Sequence, residues 1–109
     1  MDKTDQNINH QEHFDDLMTK VLKLWSQTNY IKCRDNCLLA YSYSIKHNLS
    51  KNLHVLYRIM GNLDYMTGDY SKALENYLNS QRLCHDQNDL KAESDVLNNI
   101  GNVYMALEE

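Results

Sequence analysis

The sequence predicts an all-α fold, and three observations carry that prediction. The 109 residues contain no proline and only three glycines, at Gly61, Gly68 and Gly101. Apolar residues recur at the three-and-four spacing of a helix, and strand-type alternation is absent. One ungapped shift of forty residues aligns the two halves of the chain with each other.

That echo sets the elements. Arg58–Met66 resembles Asn98–Ala106, and "GDYSKALENYLNS" falls on "TNYIKCRDNCLLA". Each unit reads as two helices. In the first unit, Phe14, Leu17, Val21, Leu24 and Trp25 mark one helix, and Tyr30, Cys33, Cys37, Leu38 and Tyr41 mark its partner. In the middle unit a helix is expected over residues 50–67, capped by Ser50, with Leu53, Leu56, Tyr57, Met60 and Leu63 on one stripe. Gly68 ends it, because glycine adopts the left-handed conformation that closes many helices. Asp69 caps the next helix, whose buried side is Tyr70, Ala73, Leu74, Tyr77 and Leu78. That helix runs to about Asp86, within the polar turn stretch "HDQND". A fifth helix follows, with Val96, Leu97, Ile100, Val103, Tyr104 and Leu107 in register.

The Gly68-Asp69 corner folds two helices into an antiparallel hairpin. Gly61 and Ala73 are placed where the two backbones come closest. A single hairpin cannot cover its apolar faces, whereas stacked hairpins can, so the expected architecture is an α-α superhelix of about five antiparallel helices. The expected organisation is a flexible tail over residues 1–10, a degenerate repeat over 11–49, a full repeat over 50–88, and the first helix of a third repeat over 89–109.

Composition excludes several functions. The net charge is -4 with no basic run, which argues against nucleic acid and anionic membrane as partners. No apolar stretch reaches the roughly 18 residues of a membrane span, and the polar N-terminus has no signal-peptide core. Three cysteines without a framework spacing fit a reducing compartment, so the chain is expected to be cytoplasmic. Cys33 and Cys37 fall in register with Ala73 and Tyr77 and read as core residues, so no metal or other cofactor is expected. His10 and His13 are read as part of a frayed N-terminus, and His47, His54 and His85 as surface or rim. No nucleophile lies at a recognisable spacing from a base and no phosphate loop is present, so no catalytic activity is expected.

These residues resemble the tetratricopeptide repeat in its forty-residue form. Gly61, Gly68-Asp69-Tyr70, Ala73 and Tyr77 carry the likeness in the middle repeat, and Gly101 and Tyr104 in the next. The first repeat is degenerate, with Val21, Thr28-Asn29-Tyr30, Cys33 and Cys37 in those places. Two departures stand out: no proline closes the second helix, and Asp64 sits where the family carries a tyrosine. Asp64 is either buried with a partner or rotated outward with Tyr65 in its place.

The resemblance implies a concave groove lined by the first helix of each repeat. Its residues here are Arg58, Asn62, Tyr65 and Met66, then Asn98, Asn102 and Met105, then Met18, Leu22, Trp25 and Ser26 from the first repeat. Asn62 and Asn102 share a register, and a carboxamide can both donate to and accept from an extended peptide backbone. The implied function is protein or peptide binding, as the N-terminal regulatory part of a larger bacterial signalling protein such as a GGDEF diguanylate cyclase or a sensor histidine kinase. The alternatives are an oligomerisation module and a cytoplasmic scaffold. A fifth helix without a following partner is expected to expose Ile100, Val103, Tyr104 and Leu107, to belong to a longer parent, and to self-associate.

Overall fold

In the computed structural model, which describes residues 8–108, five helices follow one another and no strand occurs among the described residues. They are α1 (His10–Ser26), α2 (Tyr30–Lys46), α3 (Leu53–Met66), α4 (Tyr70–Asp86) and α5 (Leu90–Glu108). The chain divides into two compact units, residues 1–51 with α1 and α2, and residues 52–109 with α3, α4 and α5. Most of the expected N-terminal tail lies outside the described residues. Its last two positions differ from expectation: Asn9 caps α1 by accepting from the Glu12 amide at 3.0 Å, so the helix already starts at His10.

The forty-residue echo is built from a module of half that length. The residues in left-handed conformation at the helix ends are Thr28, Asn48, Gly68 and Asn88, with φ of 57°, 53°, 81° and 56°. At each of them the next amide reaches back to the helix: Asn29 to the Leu24 carbonyl at 3.0 Å, and Leu49 to Ser44, Asp69 to Asp64 and Asp89 to Cys84, each at 2.9 Å. These bonds satisfy carbonyls that the helix end would otherwise leave open. Glycine and asparagine adopt this conformation readily, but a β-branched threonine does so only under strain, on the order of 1–2 kcal/mol. Thr28→Asn, matching Asn48 and Asn88, should therefore raise stability by about 1 kcal/mol, read as a higher midpoint in thermal unfolding.

The opposite ends are capped by short acceptors. Asn29 accepts from the Lys32 amide at 3.4 Å, Asp69 from Lys72 at 3.3 Å and Asp89 from Ala92 at 3.1 Å. The register places Leu49 at the equivalent point before α3, and leucine offers no side-chain acceptor. Ser50 does not take over as cap. The chain turns through Asn52 at φ 65°, and α3 starts at Leu53, three residues later than the sequence suggests.

In residues 1–51, Phe14, Val21, Cys33, Cys37 and Ala40 are fully buried, with Met18 and Leu24 nearly so. Met18 is therefore core and not groove lining, and Leu38, expected on the packed side of α2, is 56% exposed. The Cys33 thiol donates to the Val21 carbonyl at 3.5 Å, and Tyr43 near the end of α2 meets His10 and His13 at the start of α1, so the hairpin is antiparallel. The His10 and His47 rings stack at 3.7 Å, and His10 Nδ1 shares a 2.6 Å hydrogen bond with the Tyr43 hydroxyl. His10 and His13 thus help close the hairpin and are not a frayed end. Desolvation, then the charges of His10, Lys46 and His13, hold the His47 imidazole below its ordinary pKa.

In residues 52–109, α4 is central. Its Ala73 and Tyr77 form one cluster with Val96, Ile100 and Val103 of α5, with Tyr70 and Leu74 packed against it. The expectation that Ile100 and Val103 are exposed is corrected: they are 8% and 0% exposed, because this stripe of α5 faces back onto α4. On the α3 side, what Gly61 accommodates is the Tyr77 ring. A Cβ added at Gly61 would lie 2.7 Å from two Tyr77 ring carbons. The Ser80 hydroxyl donates to the His54 carbonyl at 2.7 Å. Asp64 is buried, with the Asn76 amide donating to its carboxylate at 2.7 Å, which resolves the two alternatives for that residue. Leu78 is 37% exposed, at the margin of the face to which the sequence assigns it.

Candidate groove between α3 and α5

Val55, Arg58, Asn62 and Tyr65 recur along one side of α3, and Asp95, Asn98, Asn102 and Met105 along one side of α5. Between the N-terminal halves of these helices lies a cavity of about 210 Å³, walled by His54, Val55 and Arg58 from α3 and by Ala92, Asp95 and Val96 from α5. Its lining combines a cationic residue on α3, an acidic one on α5 and the short apolar side chains of Val55, Ala92 and Val96. His54 also carries a buried polar atom: its Nδ1 has no hydrogen-bond partner among the described residues. Desolvation is the main cause that lowers the pKa of His54; Asp89 opposes it and Arg58 adds to it. The ring is therefore neutral at pH 7 and presents its chemistry as an imidazole.

Of the residues the sequence assigns to a groove, Arg58 lines this cavity. Asn98 and Asn102 are exposed on α5, and Met105 is 65% exposed. On α3, Met66 is 50% and Tyr65 36% exposed. Asn62 is half-buried and accepts a 2.5 Å hydrogen bond from the Tyr77 hydroxyl, so part of its carboxamide already serves the α3–α4 contact. Burial pushes the Tyr77 hydroxyl up to about 12, which keeps it a donor throughout the neutral range.

The aromatic positions act at the corners. Tyr65 lies against Tyr70 with ring centroids 5.4 Å apart. Forty residues earlier, Trp25 lies against Tyr30 at 5.3 Å. In both units an aromatic near the end of one helix closes on the first residue of the next.

Sequence reasoning missed Val55 and Asp95, although both share the register of Arg58 and Asn98 three residues on. It also missed His54, whose stranded nitrogen depends on what packs against it and leaves no mark in periodicity. His85 is 72% exposed, as its surface reading expects, and its Nδ1 lies 3.2 Å from the Glu93 carboxylate, which also accepts from Gln81 at 2.6 Å. Cys33, Cys37 and Cys84 are buried thiols at core positions. Among the described residues no group of three or more His, Cys, Asp or Glu is placed to hold a metal ion, and no helix is long and apolar enough to cross a membrane. Comparison with protein-family models, with curated proteins and with solved structures finds no match to this chain.

Proposed function

We propose that this chain is a protein- and peptide-binding repeat module without catalytic activity of its own. Its docking site is the channel between α3 and α5. The observation that carries this reading is the cavity that Arg58, Asp95 and His54 line together. Such a site offers a cationic and an anionic side chain to one extended segment, beside the short apolar side chains of Val55, Ala92 and Val96. Exposed Asn98, Asn102 and Met105 continue the same side of α5 and would contact the rest of that segment. The resemblance to tetratricopeptide repeats supports the same conclusion. It also suggests the biological setting, a regulatory segment of a signalling protein whose output is biased when the channel is filled.

The test is selection of displayed random peptides on the full 109-residue chain. Selected peptides should lose roughly tenfold or more in affinity with Arg58→Ala and again with Asn102→Ala, each near 1.4 kcal/mol, while helical content is unchanged. A selection that enriches nothing, or peptides that bind both variants as tightly as the parent chain, would end this reading.

A further inference from the structure

We propose that two copies of this chain associate through an antiparallel, two-fold contact between their α5 helices, along the stripe Leu90, Ser94, Leu97, Gly101 and Tyr104. These residues alternate in steps of four and three, the spacing that holds one face toward a partner helix. The face is separate from the two already described on α5. Val96, Ile100 and Val103 point to α4, and Asp95, Asn98, Asn102 and Met105 lie along the channel side. It is open: Leu90 is 75%, Leu97 50% and Tyr104 51% exposed, and a Cβ added at Gly101 would meet nothing within 4 Å. Large apolar side chains in a continuous exposed row mark an interaction surface.

The chain itself shows what such a face receives. Forty residues before Gly101, Gly61 occupies the same register on α3, and the ring of Tyr77 fills the space over it. A glycine at this register seats a large side chain of a neighbouring helix.

The pattern of large and small residues selects a second copy as that neighbour. In an antiparallel pair centred at the level of Asn99, Leu97 stands opposite Gly101 of the other copy, and Tyr104 opposite Ser94. Leu97 and Tyr104 each then meet a small residue, Leu90 falls at the end of the contact, and the two-fold axis repeats each pairing. A parallel pair would set Leu97 on Leu97 and Gly101 on Gly101, crowding some levels and leaving others empty. The charges agree, because the antiparallel pair brings Lys91 near the start of one helix beside Glu108 at the end of the other. The proposal does not rest on the peptide-binding reading, since none of its residues lines the α3–α5 cavity.

The experiment is sedimentation velocity on the full chain over a range of concentrations, with three variants. The parent chain should shift from monomer to dimer as concentration rises. Leu97→Glu should weaken the dimer by more than roughly tenfold without loss of helical content, since Leu97 is exposed in the monomer. Gly101→Leu should do the same by filling the seat for Leu97, yet raise the thermal midpoint of the dilute monomer, because glycine is a poor helix former. The double variant Leu97→Cys/Gly101→Cys should give an interchain disulfide between positions 97 and 101, whereas Leu97→Cys alone should not cross-link. A chain that stays monomeric at every concentration overturns the proposal, as does a dimer that survives Leu97→Glu. A disulfide joining position 97 to position 97 overturns it too. So does a dimer lost with Arg58→Ala, or a monomeric parent whose exposed stripe instead captures a different protein.

Discussion

Gly61→Val lowers the stability of the chain by about 3 kcal/mol, the upper part of the overpacking range, while Gly101→Val leaves it within about 0.5 kcal/mol of the parent. The two glycines hold the same register forty residues apart, so local propensity is nearly matched and the difference isolates packing. At Gly61 even one added carbon lies 2.7 Å from the Tyr77 ring. That ring cannot simply swing away, because Tyr77 is 3% exposed and its hydroxyl is bonded to Asn62. At Gly101 there is no neighbour to displace. Urea unfolding followed by far-ultraviolet circular dichroism, at a concentration low enough to keep the chain monomeric, measures both. Adding Tyr77→Leu to Gly61→Val should recover part of the loss, so the two substitutions should be far from additive. Equal losses at the two glycines would show that the Gly61–Tyr77 contact does not hold α3 against α4.

Asn76→Ala costs about 2 kcal/mol, measured in the same unfolding experiment. Asp64 is 3% exposed and receives the Asn76 amide at 2.7 Å. Hydrogen bonds to charged groups contribute about 1.5–3 kcal/mol, and the loss is larger when the acceptor stays behind in a dry site. The double variant Asp64→Leu/Asn76→Leu removes both the carboxylate and its donor. It should lie closer to the parent than Asn76→Ala alone, because neither member of this hydrogen bond is then left without the other. If Asn76→Ala is neutral, the carboxylate draws its support from the rest of its surroundings.

These two sites also show what the sequence could and could not convey. Helix number, the Gly68-Asp69 corner and the buried stripes of α3 and α4 follow from spacing alone, because periodicity records which side of a helix avoids water. The partner of Asp64 lies twelve residues away across a corner, and nothing in the spacing of apolar residues encodes it. The late start of α3 was obscured because Ser50 looks like a cap, whereas the register that matters places Leu49 there. The left-handed conformation at Thr28 was illegible for a related reason: threonine is a residue that normally avoids it. In α5 the apolar residues form two stripes. The sequence reading merged Ile100 and Val103 with Tyr104, which lies on the other stripe and is 51% exposed; Leu107 continues the buried stripe by spacing but, at the end of α5, is also 51% exposed. At the candidate channel, the side-chain register of Arg58 was readable but the depth of the cavity was not, since depth depends on how far apart α3 and α5 stand.

The distribution of sulfhydryl groups gives each half of the molecule its own reporter. Cys33 and Cys37 belong to residues 1–51 and Cys84 to residues 52–109, and all three are 0% exposed. Burial pushes the Cys33 and Cys84 thiols above their ordinary pKa, which slows alkylation further, since the thiolate is the reactive form. A thiol reagent can therefore attach only when a hairpin opens. In a mass spectrum, two added labels would mark the first half breathing and a single one the second. The unfolding order of this chain can thus be timed without introducing any probe.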